Sequence, residues 1–194
     1  MNKLNTSPDL IMIGASTGGP QAILTILSGL PDDYLCPIVV TQHMPESFIS
    51  NFVKQLDKAC ALRVTKATNG EIITSGVVYV SAGDKCLKVS SNINNQLTVA
   101  YEKPTDRNAL CPSVNSLFVS ATSLSHLNIL AIILTGIGDD GTTGAIELKK
   151  RGAQIWAQDK NDCVVYGMPK SVLLAGVVDQ TFSLDEMRLK LREL

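Results

Sequence analysis

The feature that most constrains this chain is a series of short apolar runs, at 10–14, 37–41, 63–66, 77–80, 129–134, 154–157 and 177–180. Most are continuous in Ile, Val and Leu and do not alternate with polar residues. A strand that is apolar on successive residues is buried on both faces, which requires helices above and below it. Segments of helical period fall between the runs, at 20–30, 45–60, 112–123, 142–151, 169–175 and 184–191. The pattern predicts an α/β fold: a doubly wound, largely parallel sheet flanked by helices, three-layered and Rossmann-like. Pro20, Pro45, Pro112 and Pro169 stand at predicted helix starts, where a missing N–H costs nothing, and Gly152 and Gly176 follow predicted helix ends.

The middle of the chain departs from this rhythm. From Gly70 to Tyr101 short strands are punctuated by turn residues (Asn69-Gly70, Ser75-Gly76, Gly83-Asp84 and the stretch Asn92 to Asn95), which reads as a small β-hairpin insertion into the α/β frame. With 194 residues, a chain of this size buries about 70% of the surface its unfolded form exposes, and residues 1–194 are expected to form one domain. Lys and Arg (17) nearly balance Asp and Glu (18), so no basic stripe selects a nucleic-acid partner. The apolar runs are far shorter than the roughly 20 residues a bilayer span requires, and Met1 to Asp9 lacks a signal-peptide core. The five cysteines, Cys36, Cys60, Cys86, Cys111 and Cys163, are odd in number and contain no C-x-x-C pair, so neither a disulfide framework nor a zinc site is signalled. A reducing, cytoplasmic setting is the expectation.

Gly14-Ala15-Ser16-Thr17-Gly18 fits G-x-S-x-G directly after a predicted buried strand and before a helix, the context of a nucleophile elbow. The same run also suits a plain glycine-rich turn in which Ser16 or Thr17 caps the helix. A serine hydroxyl needs a base within hydrogen-bond reach, and the chain holds two histidines. His43 follows the strand at 37–41, at the carboxyl end where open α/β sheets collect ligands. His126 precedes the strand at 129–134, the wrong end, and reads as a solvated surface residue. An imidazole base in turn needs a carboxylate, and the loop Gly136-Ile137-Gly138-Asp139-Asp140-Gly141 supplies two candidates at a third carboxyl end. Their spacing does not choose between them, and either could simply complement the dipole of the helix that follows.

That loop is also a formal G-x-G-x-x-G (Gly136, Gly138, Gly141), with Asp159 near the place of a ribose-binding acid. Nucleotide binding is therefore the competing reading. Two adjacent carboxylates beside a pyrophosphate oppose it, since each charge pair at 4 Å costs roughly 4 kcal/mol at an effective dielectric near 20.

Taken together and in this order, Gly14 to Gly19, Thr41-Gln42-His43-Met44-Pro45, Leu134-Thr135-Gly136 with Gly138 and Asp140-Gly141, and Gly167-Met168-Pro169 resemble the catalytic domain of the chemotaxis protein-glutamate methylesterases. The resemblance covers nearly the whole chain. It implies a serine esterase that removes methyl groups from glutamate esters of chemoreceptors and also deamidates glutamines, with Ser16 as nucleophile, His43 as base and Asp140, not Asp139, as the orienting acid. It further implies oxyanion stabilisation near Thr17 and at the backbone of Ile137, with no cofactor and no metal. The partner implied is a methylated chemoreceptor or related signalling protein, with no nucleic acid and no membrane insertion. The family's usual receiver domain has no counterpart here, so it is either separate or removed. Ile137 replaces the usual methionine, Ala82 a proline, Cys86 a histidine, Cys111 an arginine and Asn115 an aspartate. A receptor-docking module weakened in catalysis is a further alternative that these departures raise.

Overall fold

The computed structural model describes residues 7–102 and 111–194; residues 1–6 of the segment read for a leader lie outside them. Seven strands form one sheet, with every neighbouring pair parallel: β1 (Leu10–Ala15), β2 (Ile38–Gln42), β3 (Arg63–Lys66), β4 (Val77–Val80), β7 (Ile129–Ile133), β8 (Gln154–Gln158) and β9 (Gln180–Phe182). Between the fourth and seventh, β5 (Cys86–Ser91) and β6 (Leu97–Glu102) pair as an antiparallel hairpin apart from the sheet. Sheet order is β3-β4-β2-β1-β7-β8-β9. The chain builds β2, β3 and β4 on one side of β1, with β4 between β2 and the edge strand β3, and returns to build the other half from β7, so β1 lies at the topological switch point where such sheets bind ligands.

Burial on both faces is visible residue by residue along β1. Leu10 and Met12 belong to a core beneath α3 (Val114–Ser120), α4 (Thr142–Lys150), α5 (Met168–Leu174) and the hairpin. Ile11, Ile13 and Ala15 belong to a second core beneath α1 (Gly19–Leu27), α2 (Glu46–Ala59) and α6 (Leu184–Arg192). The period of two that sends neighbours to opposite faces explains why an unbroken apolar run was needed.

The predicted frame holds, with three corrections. The last strand begins at Gln180, not at 177. Val177 and Val178 pack against the first core before the ladder starts, and the pairing Ala157 to Thr181 places Phe182 edge-on to Trp156, with centroids 5.0 Å apart. Pro112 is not in the first turn of a helix: α3 opens later, capped by Ser113, whose hydroxyl accepts the Ser116 N–H. Cysteine spacing concealed a pairing, because Cys86 on the hairpin and Cys111 ahead of α3 form a disulfide across a Cα separation of 5.2 Å. Among the described residues, no helix is long and apolar enough to cross a membrane, and no three His, Cys, Asp or Glu side chains converge as a metal-ligand set.

Candidate active site

Ser16 leaves the carboxyl end of β1 on a turn held from both sides. Its N–H donates to the Thr135 carbonyl at 3.0 Å, and its carbonyl accepts the Gly19 N–H at 2.8 Å. The turn requires Gly18, whose φ is +81° and where a β-carbon would press within 2.6 Å of the Val164 side chain. Pro20 follows in the first turn of α1. The hydroxyl forms no hydrogen bond among the described residues, and Ser16 is half-buried.

His43 stands at the end of the neighbouring strand β2, where its N–H continues the ladder to the Ala15 carbonyl at 3.0 Å. Its Nε2 lies 2.7 Å from Asp140 Oδ2, with the imidazole 15% exposed and the carboxylate 8%. In serine proteases the acid meets Nδ1; here the acid meets Nε2, and Nδ1 has no hydrogen-bond partner among the described residues.

Asp140 comes from the loop after β7, the strand on the other flank of β1. Its Oδ2 also accepts the Val114 N–H at 2.6 Å, and its Oδ1 accepts the Asn115 N–H at 2.9 Å and the Ser113 hydroxyl at 3.1 Å. Burial pushes this carboxyl up, but the hydrogen bonds from His43, Asn115 and Val114 together with the His43 charge outweigh it and hold the group below the ordinary carboxylate value. A carboxylate that stays charged at neutral pH is what an imidazolium partner needs. Asp139 is exposed and makes no side-chain hydrogen bond among the described residues. It does not cap α4 either, whose N-cap is Gly141 without side-chain assistance. The geometry thus separates the two aspartates that spacing left equal.

Thr17 and Ile137 flank the same spot. Gly136 lies against Ser16: a β-carbon on it would meet the Ser16 β-carbon at 2.7 Å and collide with the Met168 sulfur. The Gly136 carbonyl accepts N–H groups from Gly167 (3.1 Å) and Met168 (2.9 Å). In a planar trans peptide the following N–H is antiparallel to its carbonyl, so the Ile137 N–H faces the opposite way, on an exposed turn. The Thr17 carbonyl accepts the Thr135 hydroxyl at 2.9 Å, which ties the elbow to the end of β7.

The remaining candidates fall elsewhere. His126 is exposed, in the turn that leads into β7 at the amino end of the sheet. Gly136 is packed on the elbow, and Asp159 caps a short turn by accepting the Asn161 N–H at 2.9 Å. Sequence reasoning missed the cradle at Ser113, Val114 and Asn115. Pro112 reads as a helix start, and nothing in the residues after it points at Asp140. Besides Cys86 and Cys111, joined in the disulfide, two more of the family departures find partners. Asn115 Oδ1 accepts the Gly144 N–H at 2.8 Å, binding α3 to α4. The Ala82 N–H donates to the Tyr101 hydroxyl at 2.8 Å, a donor that proline lacks.

Residues 11–191 match the family model described as CheB methylesterase. Among curated proteins the chain is 42% identical over 184 residues to protein-glutamate methylesterase/protein-glutamine glutaminase 1 of Saccharophagus degradans, covering 92% of this chain and 48% of that protein. It is 39% identical over 183 residues to the protein-glutamate methylesterase/protein-glutamine glutaminase of Pseudoalteromonas translucida, covering 94% and 47%. The chain therefore spans about half the length of the curated relatives it matches. Its fold is similar to the crystal structure of the Thermotoga maritima CheB methylesterase catalytic domain, with a TM-score of 0.91, 37% identity, and 97% and 99% of the two chains covered.

Proposed function

The chain belongs to the CheB methylesterase family, and on that premise we propose that it is a serine esterase that hydrolyses γ-methyl esters of glutamate side chains on a chemoreceptor-type protein. The observation that carries the reading is the 2.7 Å contact between His43 and a buried, multiply hydrogen-bonded Asp140, at strand ends on either side of the strand that delivers Ser16.

In the proposed reaction Ser16 Oγ attacks the ester carbonyl carbon while His43 takes its proton through Nδ1. Asp140 holds the ring by Nε2 and balances the imidazolium. The carbonyl oxygen becomes an oxyanion between the Thr17 and Ile137 N–H groups, where donors fixed before the reaction are most effective. The imidazolium returns the proton to the departing methoxide, methanol leaves, and water, activated by the same imidazole, cleaves the acyl-enzyme to glutamate. A glutamine side chain enters the same sequence with ammonia as leaving group, in keeping with the double names of the relatives. Only Ser16, His43 and Asp140 exchange or balance charge, so the proposed chemistry needs neither metal nor cofactor.

We further propose that residues 1–194 act as one catalytic domain, supported by two cores that share a single sheet, and that the reaction takes place in the cytoplasm, where a receptor's signalling helices would be met. The test is methanol release from a methylated chemoreceptor preparation, with Ser16→Ala as control. Release by the unsubstituted chain and not by the variant is the expected result; equal release by both would refute the proposed nucleophile.

A further inference from the structure

Gln42 is the last residue of β2 and 1% exposed, one position before the proposed base, and its amide joins the two halves of the site. Its Nε2 donates to the carbonyl of Ser16 at 2.9 Å and to the carbonyl of His43 at 2.9 Å. Both amide hydrogens are thus committed, while Oε1 is buried without a hydrogen-bond partner among the described residues. Two carbonyl acceptors at one end fix which way round the amide lies, since the opposite orientation would set oxygen against oxygen. The site therefore uses this glutamine for its donors, not for its acceptor. Gly19 packs against Oε1 so closely that a β-carbon there would collide with it, which holds the amide in place from behind.

The consequence lies on the far side of the Ser16–Thr17 peptide. With the Gly19 N–H and the Gln42 amide as its two donors, the Ser16 carbonyl has both acceptor positions filled on the interior side. The Thr17 N–H, antiparallel to that carbonyl, is turned outward and has no partner among the described residues. Ile137 N–H is set by the same device, but the Gly136 carbonyl is pinned by backbone donors alone. Only the Thr17 donor depends on a side chain.

We propose that Gln42 is a positioning residue that aims the Thr17 N–H at the developing oxyanion and holds Ser16 and His43 in register. This rests on Ser16 being the nucleophile. Gln42→Met keeps the length and removes both donors; Gln42→Glu keeps the shape and sets a carboxylate against two carbonyls. Since losing an oxyanion donor outright costs about 10²–10³ in kcat, misaiming one is expected to lower the kcat of Gln42→Met about 10- to 100-fold. KM on a methylated receptor fragment should stay within about threefold. Affinity for phenylboronic acid, which becomes a tetrahedral anion on a serine oxygen, should fall by the same factor as kcat. The pH dependence of kcat/KM should keep its shape, because the His43–Asp140 pair is untouched. Gln42→Glu should lose at least as much, and if it does not fold, Gln42→Met decides alone. A Gln42→Met enzyme within about threefold of the unsubstituted kcat, or one whose loss lies in KM with boronate affinity unchanged, overturns the proposal while leaving the nucleophile in place. Failure of the unsubstituted chain to cleave the ester overturns both.

Discussion

Replacing Asp140 by asparagine tests more than catalysis, because the same carboxylate also closes the start of α3. Oδ1 accepts two donors and Oδ2 accepts two, His43 Nε2 among the latter. An asparagine retains one oxygen, so whichever way its amide turns, an NH2 faces either the Val114 or the Asn115 N–H. A buried donor left without a partner costs about 1–3 kcal/mol, and the surviving bonds lose their charge assistance, roughly 1 kcal/mol more. Asp140→Asn should therefore destabilise the fold by about 2–4 kcal/mol, a drop in Tm on the order of 4–16 °C at this chain length. It should also lower kcat about 10²- to 10⁴-fold, through the wrong imidazole tautomer and an uncompensated imidazolium. Asp139→Asn, at an exposed position, should change stability by no more than about 0.5 kcal/mol and kcat by less than about tenfold. The assay pairs methanol release with thermal melts of the same four preparations: unsubstituted, each single variant and the double. A more damaging Asp139→Asn, or an Asp140→Asn that melts with the unsubstituted protein, refutes the reasoning.

Ser16→Ala and His43→Ala should each reduce kcat by on the order of 10⁴-fold, with the double variant scarcely worse; additive losses in methanol release would show that the two do not act as a unit. Because the folded state holds Asp140 below its ordinary value, its ionisation stabilises fully above about pH 4 and loses that contribution as pH falls through the lower folded value. The urea-midpoint gap between the unsubstituted protein and Asp140→Asn should accordingly narrow on acidification, and a gap that widens contradicts the assignment. Thiol titration in denaturant without reductant should find Cys36, Cys60 and Cys163 but not the Cys86–Cys111 pair, and reduction should release two more. In the native protein the three should alkylate slowly at pH 8, since burial, together with nearby carboxylates, pushes Cys36 and Cys163 up to about 12 and Cys60 to about 11.

The frame was legible because burial on both faces leaves a continuous apolar signature, and Ser16, His43 and the Asp139–Asp140 pair were legible as candidates because each follows such a run at its carboxyl end, with Asp140 singled out only by the family resemblance. What escaped depends on distances between segments that the sequence does not order. Asp140 reads as a loop acid that meets His43 or complements a helix dipole, whereas its further partners at Ser113 to Asn115 lie 25 to 27 residues upstream. Cys86 and Cys111 are 25 residues apart, a separation that says nothing of their closeness until the hairpin packs on α3. Gln42 stood inside a quoted motif without a role, since only the fold turns its amide toward Ser16. At β9, the apolar pair Val177 and Val178 outweighed Gln180, Thr181 and Phe182, which form the ladder.

The order in which the sheet is wound also sets a schedule. Ser16 and His43 are made early, but Asp140 follows His43 by 97 residues, at the end of the strand that covers the open side of β1. At about 5–20 residues per second, a ribosome takes about 5–20 s to travel from base to acid. Throughout that interval the growing chain carries the proposed nucleophile with no oriented base, while one edge of the fully buried strand β1 is unpaired and able to capture a stranger's strand. Arrival of β7 closes that edge and brings Asp140 to His43 in one event. Assembly of the proposed site thus coincides with the covering of β1, while the new edge on β7 waits for β8 and β9, and a ribosome stalled before residue 129 would hold a product in which the proposed site is unassembled and β1 uncovered.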